Sequence, residues 1–112
     1  MSDLFSFTNN TVDHYGEIES KIRHRRVQML IHSCIYYKLN DGIVSDHTWQ
    51  KWADELTELQ NKNPEKCNIG FFDEYFVEWD GSTGYHLPHD NNWVLSKSIY
   101  AMQLAKVNGN KT

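Results

Sequence analysis

From Tyr15 to Leu39 the chain has no proline, and no glycine after Gly16. A stretch this long, with apolar residues recurring at steps of three and four, favours one extended helix over any arrangement of short strands. Ile18, Ile22 and Met29 line one side, with Tyr36 further along. Val27, Leu30, Ile31, Cys34 and Ile35 widen the stripe in the second half, as a buried helix requires. Asn40-Asp41-Gly42 then stops the pattern, with Gly42 the expected left-handed cap.

A second helix is expected after Ser45 or Asp46, either of which can accept from the free N–H groups of its first turn. Trp49, Trp52, Ala53, Leu56 and Leu59 fall on one face of a 3.6-residue period, with Asp54, Glu55 and Glu58 opposite. Pro64 disfavours helical geometry at Asn63 and ends it. The short link between the two helices favours an antiparallel αα-hairpin over 15–63.

Residues 71–80, FFDEYFVEWD, admit two readings. Phe72, Tyr75, Phe76 and Trp79 match a helical face, while Tyr75 to Trp79 also fits a short strand before the turn Asp80-Gly81-Ser82-Thr83-Gly84. Helix is the favoured reading. Past Pro88 a polar cluster leads into a third helix over 92–108, with Leu95, Ile99 and Met102 as its inner stripe and Asn108-Gly109 as its end. The expected fold is mainly α and a single domain over 1–112: an N-terminal arm (1–14), the hairpin (15–63), an aromatic–acidic segment with its loop (64–91), and a C-terminal helix (92–108).

Charge narrows the function classes. Eleven Lys and Arg against fifteen Asp and Glu leave a net charge of −4, which argues against coating nucleic acid, a task that needs phosphate-neutralising bases. No apolar run approaches the length of a membrane span. The start, MSDLFSF, has neither a basic nor an apolar leader region, so a cytoplasmic location is expected. On that expectation the sequons Asn9-Asn10-Thr11 and Asn110-Lys111-Thr112 are chance matches. Cys34 and Cys67 are expected to stay as thiols.

The series His32-Ser33-Cys34-Ile35-Tyr36-Tyr37, Asn40 to Asp46, Trp49, Glu55-Leu56-Thr57-Glu58-Leu59 and Asn63-Pro64-Glu65 resembles the small N-terminal helical domain Ia of NAD-dependent DNA ligases. The resemblance covers residues 24–66. It implies a helical hairpin and a contribution to holding the nicotinamide mononucleotide half of NAD. By position, Tyr36 and Asp46 keep the residue types that make that contact, and Tyr37 stands where the family has His or Tyr. Trp49 replaces the family's Tyr and Gln50 its Asp. No lysine is followed by x-Asp-Gly, so the covalent nucleophile of a nucleotidyl transferase is missing. With the downstream stretch Asp80 to Pro88, the chain looks like small bacteriophage or prophage proteins of low-GC Gram-positive bacteria, which implies that the cytoplasm is that of a bacterial host.

Other clusters carry chemistry of their own. His86, His89 and Asp90 supply ligand types that suit zinc, with His14, His32 or His47 able to complete a set only through the fold. The turn Asp80 to Gly84 has the composition of an anion-binding nest but lacks the following Lys and helix of a P-loop, and a plain turn is the favoured reading. Lys21, Arg23, Arg25 and Arg26 with His24 form the basic cluster, read as a solvated helix face. Asp73, Glu74, Glu78 and Asp80, set among five aromatics in residues 71–80, offer carboxylates for docking on a basic partner. No Ser or Cys nucleophile motif appears. The leading expectation is a non-enzymatic phage-type protein docking on a host or phage protein that handles nucleic acid, in the manner of an anti-CRISPR inhibitor. The alternative is a module that binds NAD or nicotinamide mononucleotide through Tyr36, Tyr37 and Asp46.

Overall fold

A computed structural model describes residues 16–108. The expected N-terminal arm, the residues up to Tyr15, and residues 109–112 lie outside them. Four α-helices follow in order: α1 (Gly16–Tyr37), α2 (Asp46–Lys62), α3 (Asp73–Phe76) and α4 (Asn92–Val107), with a 3₁₀ turn at Pro64–Lys66. The fold is mainly helical, and there is no strand among the described residues. The short-strand reading of residues 75–79 is thereby excluded, but the helix there is a single turn.

Each boundary has a local cause. Ser45 is the N-cap of α2, its Oγ accepting from the Thr48 N–H at 3.1 Å, a contact worth about 1 kcal/mol. Asn91 caps α4, its side-chain oxygen accepting from the N–H groups of Trp93 and Val94. Pro64 opens the 3₁₀ turn, where its missing N–H is not needed. The stop after α1 differs from expectation: the left-handed residue is Asn40, with φ of 56°, rather than Gly42. Asn is the non-glycine residue best suited to that conformation, and the Asp41 N–H donates back to the Ile35 carbonyl to close the turn.

The core lies where α1 meets α2 on one side and α4 on the other. Ile22, Met29, Leu30, Cys34, Ala53, Leu56, Phe76 and Val94 are inaccessible to solvent, with Trp49, Trp52, Leu59 and Trp79 packed around them. Tyr36 does not extend the α1 stripe inward and is 59% exposed. On α4 the expected inner stripe is rotated. Val94, Ser98 and Ala105 are buried, Leu95 is half-buried, and Ile99 is 42% exposed. Small side chains let α4 approach α1 closely, and the Ser98 hydroxyl is satisfied at the Val94 carbonyl, 2.7 Å away. Trp93, Ile99 and Leu104 are exposed, while Leu95 and Met102 stay half-buried.

The basic cluster is not one solvated face. Arg26 is fully buried. Its guanidinium donates to Gln60 Oε1 through Nε (3.1 Å) and Nη2 (2.9 Å), to the Cys67 carbonyl (2.9 Å), to the Phe71 carbonyl (2.8 Å) and to Asp73 Oδ1 (2.6 Å). It also lies over the Phe76 ring. One side chain thus ties α1 to the end of α2 and to the segment running into α3.

Candidate functional site

A pocket of about 210 Å³ opens where four pieces of chain converge. The last turns of α1 bring His32, Ser33, Tyr36 and Tyr37; the following loop brings Gly42, Ile43 and Val44. The first turns of α2 add Asp46, Trp49 and Gln50, and the turn before α4 adds Ser82, Thr83 and Gly84. In α1, Ser33, Tyr36 and Tyr37 stand three and four residues apart, which places them along one edge of that helix. The antiparallel turn after Tyr37 then sets the start of α2 opposite them.

Hydrogen bonds fix the walls. Trp49 Nε1 donates to Ser33 Oγ at 3.3 Å, and the indole meets the Trp79 ring edge-on. Gln50 Nε2 donates to Asp54 and to the Gly81 carbonyl, which holds the turn against α2. The Tyr37 hydroxyl lies 3.0 Å from Thr83 Oγ1. Trp79 Nε1 donates to the Thr83 carbonyl, which closes the turn itself. Gly84 packs against Ser33 so closely that a Cβ there would fall 2.7 Å from the Ser33 Cβ. Only a residue without a side chain permits this approach.

His32 stands in the wall behind these groups, its ring 5.3 Å from that of Trp52. Burial pushes its pKa down to about 4, so the imidazole is neutral at neutral pH. Its Nδ1 is buried without a hydrogen-bond partner. In the sequence this residue stands both in the ligase-like series and as a spare metal ligand; here its ring partner is Trp52.

The structure brings Tyr36, Tyr37 and Asp46 to one pocket. It treats the other candidate groups differently. Of the four acids chosen for docking, Asp73 faces inward onto Arg26 and also accepts from the N–H groups of Ile69 (3.2 Å) and Gly70 (2.8 Å). Burial alone would raise its carboxyl, but these donors outweigh burial and hold it below the ordinary value. Asp80 accepts from the backbone and side chain of Ser82, and its carboxyl is lowered by those bonds. The turn's own carboxylate takes the Ser82 N–H, as in an ordinary Asx turn. Glu74 and Glu78 are exposed.

The zinc set does not assemble. Among the described residues no three His, Cys, Asp or Glu side chains converge as a metal site would require. His89 lies flat against Tyr37 with Nε2 2.8 Å from the Gly84 carbonyl, and Asp90 pairs with Lys38 at 2.6 Å. His86 packs on the Tyr85 ring. Pro88 divides the segment, so the i, i+3 spacing of the two histidines does not put them on a common helical face. Cys34 and Cys67 are buried free thiols. No helix among the described residues is long and apolar enough to cross a membrane.

Comparison with protein-family models, with curated proteins and with solved structures found no match to this chain.

Proposed function

We propose that the chain is a non-enzymatic binding module whose ligand belongs to the nicotinamide-nucleotide class. One observation carries the reading. The residues that the likeness to ligase domain Ia assigns to the nicotinamide mononucleotide contact, Tyr36, Tyr37 and Asp46, line a single pocket together with Trp49 and Gln50 at the two substituted positions. Those residues lie on two helices and come together only through the fold. The pocket has the mixed character expected of a small-ligand site, with aromatic walls and a few convergent polar groups. With no nucleophilic lysine in the ligase motif, the module would hold a ligand without transferring it.

Trp49 in the wall provides the assay. Titration with nicotinamide mononucleotide or NAD is expected to quench indole fluorescence and to give measurable heat. Tyr36→Ala, at an exposed position, should weaken binding by about tenfold with the fold intact, the effect of losing one aromatic contact worth about 1.4 kcal/mol. Absence of heat at millimolar ligand would defeat the reading.

A second reading, docking on a protein that handles nucleic acid, is supported by a narrower surface than four acids. Glu74 and Glu78 are exposed beside Tyr75 and Val77, the latter 66% exposed. Reversing both charges (Glu74→Lys, Glu78→Lys) should abolish capture of a nucleic-acid-handling protein from host lysate. Capture unchanged by the reversal removes this surface from consideration.

A further inference from the structure

A second hollow, of about 690 Å³, lies between the end of α1, the single turn of α3 and the loop before α4. Tyr37, Tyr75 and Tyr85 form its walls together with Leu87, Pro88 and Asn91. Resting on the docking reading above, we propose that this groove takes an extended, proline-rich segment of the partner protein with a basic residue at one end. Shape, hydrogen-bonding capacity and charge each support this occupant.

The groove is open to solvent, so a small molecule would keep much of its surface wet, whereas an extended chain can lie along it. Tyr75 is 40% exposed and Tyr85 62%. Tyr85 meets Tyr37 edge-on, with centroids 5.5 Å apart and planes at 79°, and His89 lies flat against Tyr37. His89 is itself anchored on the Gly84 carbonyl. Rings held at right angles make a rigid corner. Such aromatic walls suit the ridged surface of a polyproline II helix, which is already stiff before it binds.

A proline-rich segment has no internal hydrogen bonds and few N–H groups, so its backbone presents mainly acceptors. The groove offers donors. The Tyr37 hydroxyl is engaged with Thr83, but those of Tyr75 and Tyr85 have no partner among the described residues. Asn91 spends its side-chain oxygen on capping α4, which leaves its amide NH₂ to donate. Addition of a partner's strand is not an alternative here, because the described residues contain no strand to extend.

Charge gives the segment a direction. Lys38 is the one lysine or arginine in the lining, and it is paired with Asp90 at 2.6 Å. Glu74 adjoins Tyr75 and Glu78 follows one turn later, and both are exposed. The rim is therefore negative at the Tyr75 end. An arginine or lysine there gains from both glutamates, and an acidic residue is repelled.

Three blocked peptides test the proposal by calorimetry on the full chain: a run of prolines ending in arginine, the same run ending in glutamate, and an alanine copy of the first. The proline–arginine peptide is expected to bind. The alanine copy should bind about tenfold more weakly, since it must pay for its own ordering. The glutamate copy should bind severalfold more weakly at low salt, with the difference shrinking as salt is added. Tyr75→Ala and Tyr85→Ala should each weaken binding about tenfold, the scale of one aromatic contact, with circular dichroism unchanged. Tyr85→Phe, which keeps the ring, should recover most of that loss. Equal affinity for the proline and alanine peptides, or no effect of either tyrosine variant, would overturn the proposal. So would failure of all three peptides to bind at millimolar concentration. In that event, capture still abolished by Glu74→Lys, Glu78→Lys leaves the docking reading standing without this groove, and capture unchanged by the reversal removes both.

Discussion

Replacing Arg26 with Met is expected to destabilise the protein by about 3 kcal/mol or more, a large share of the roughly 5–15 kcal/mol that holds a domain of this size together. The methionine fills much of the space but donates nothing. Gln60 Oε1 and the Phe71 carbonyl would lose their donor inside the protein, the Cys67 carbonyl would keep the Ile69 N–H alone, and Asp73 would lose its cation. A buried acceptor left without a donor costs about 1–3 kcal/mol, and two lose theirs at once. Asp73 is a quarter exposed and can regain water, which keeps the total from being a simple sum. Arg26→Lys should rescue little, because three donors on one nitrogen cannot reach acceptors spread around a planar fork. Urea unfolding followed by circular dichroism measures the loss, and a change below about 1 kcal/mol would contradict the assignment. The pH dependence has a fixed sign. The folded-state carboxyl of Asp73 lies below its ordinary value of 3.8, so its contribution is present above that value and disappears as pH falls through the lowered one. Arg26→Met should flatten the acid limb of the stability curve.

Gly84→Ala is the second change expected to be severe. The added methyl would collide with the Ser33 hydroxyl, come within 2.7 Å of the Ser33 Cβ and sit 3.4 Å from the Trp49 ring. The hydroxyl can rotate away, but the Cβ is fixed in place by the backbone of α1 and cannot. Overpacking of this kind costs about 1–3 kcal/mol. It also pushes the turn off α1 and opens the pocket, so ligand affinity should fall with stability. The double variant Ser33→Gly, Gly84→Ala tests the cause. Glycine in a helix costs about 1 kcal/mol by itself, so the pair should lose less than the sum of the single variants. Strict additivity would show that the contact between Ser33 and Gly84 is not what the alanine disturbs.

How far each element could be read from sequence depends on whether its signal is local. The α2 helix is plain, because Trp49, Trp52, Ala53 and Leu56 mark one face and Ser45 and Pro64 mark its ends. The direction in which α4 faces is not. Both of its sides carry apolar residues, and periodicity cannot choose between Leu95, Ile99 and Met102 on one side and Val94, Ala101 and Ala105 on the other. Side-chain size decides, through how closely α1 can approach, and that distance is a tertiary property. Arg26 is indistinguishable in sequence from Arg23 and Arg25 beside it. What sets it apart is a ring of acceptors contributed by Gln60, Cys67, Phe71 and Asp73, residues 34 to 47 positions away. The left-handed turn at Asn40 was masked by a glycine two residues later, the commoner marker of such a stop.

For the site, the resemblance named Tyr36, Tyr37 and Asp46, and the fold sets them around one pocket. Nothing in the spacing told that Ser82, Thr83 and Gly84 would supply the opposite wall, since that turn reads by itself as an ordinary loop. The same distance in sequence explains why the acids misled. Asp73 and Asp80 were grouped with Glu74 and Glu78 by proximity along the chain, but the fold engages the aspartates with Arg26 and Ser82 and leaves the two glutamates in water.

The pocket walls come from α1, from the start of α2 and from a turn more than thirty residues further along, and this links occupancy to the folding equilibrium. In the unfolded chain these pieces are apart, so a molecule that fits between them binds the native state alone. Its free energy of binding is then added to that of folding by mass action, reaching about 2.7 kcal/mol at a concentration one hundred times the dissociation constant. In a cell, the abundance of this protein would rise and fall with the supply of whatever fills the pocket, because the unoccupied form spends more time open to proteases.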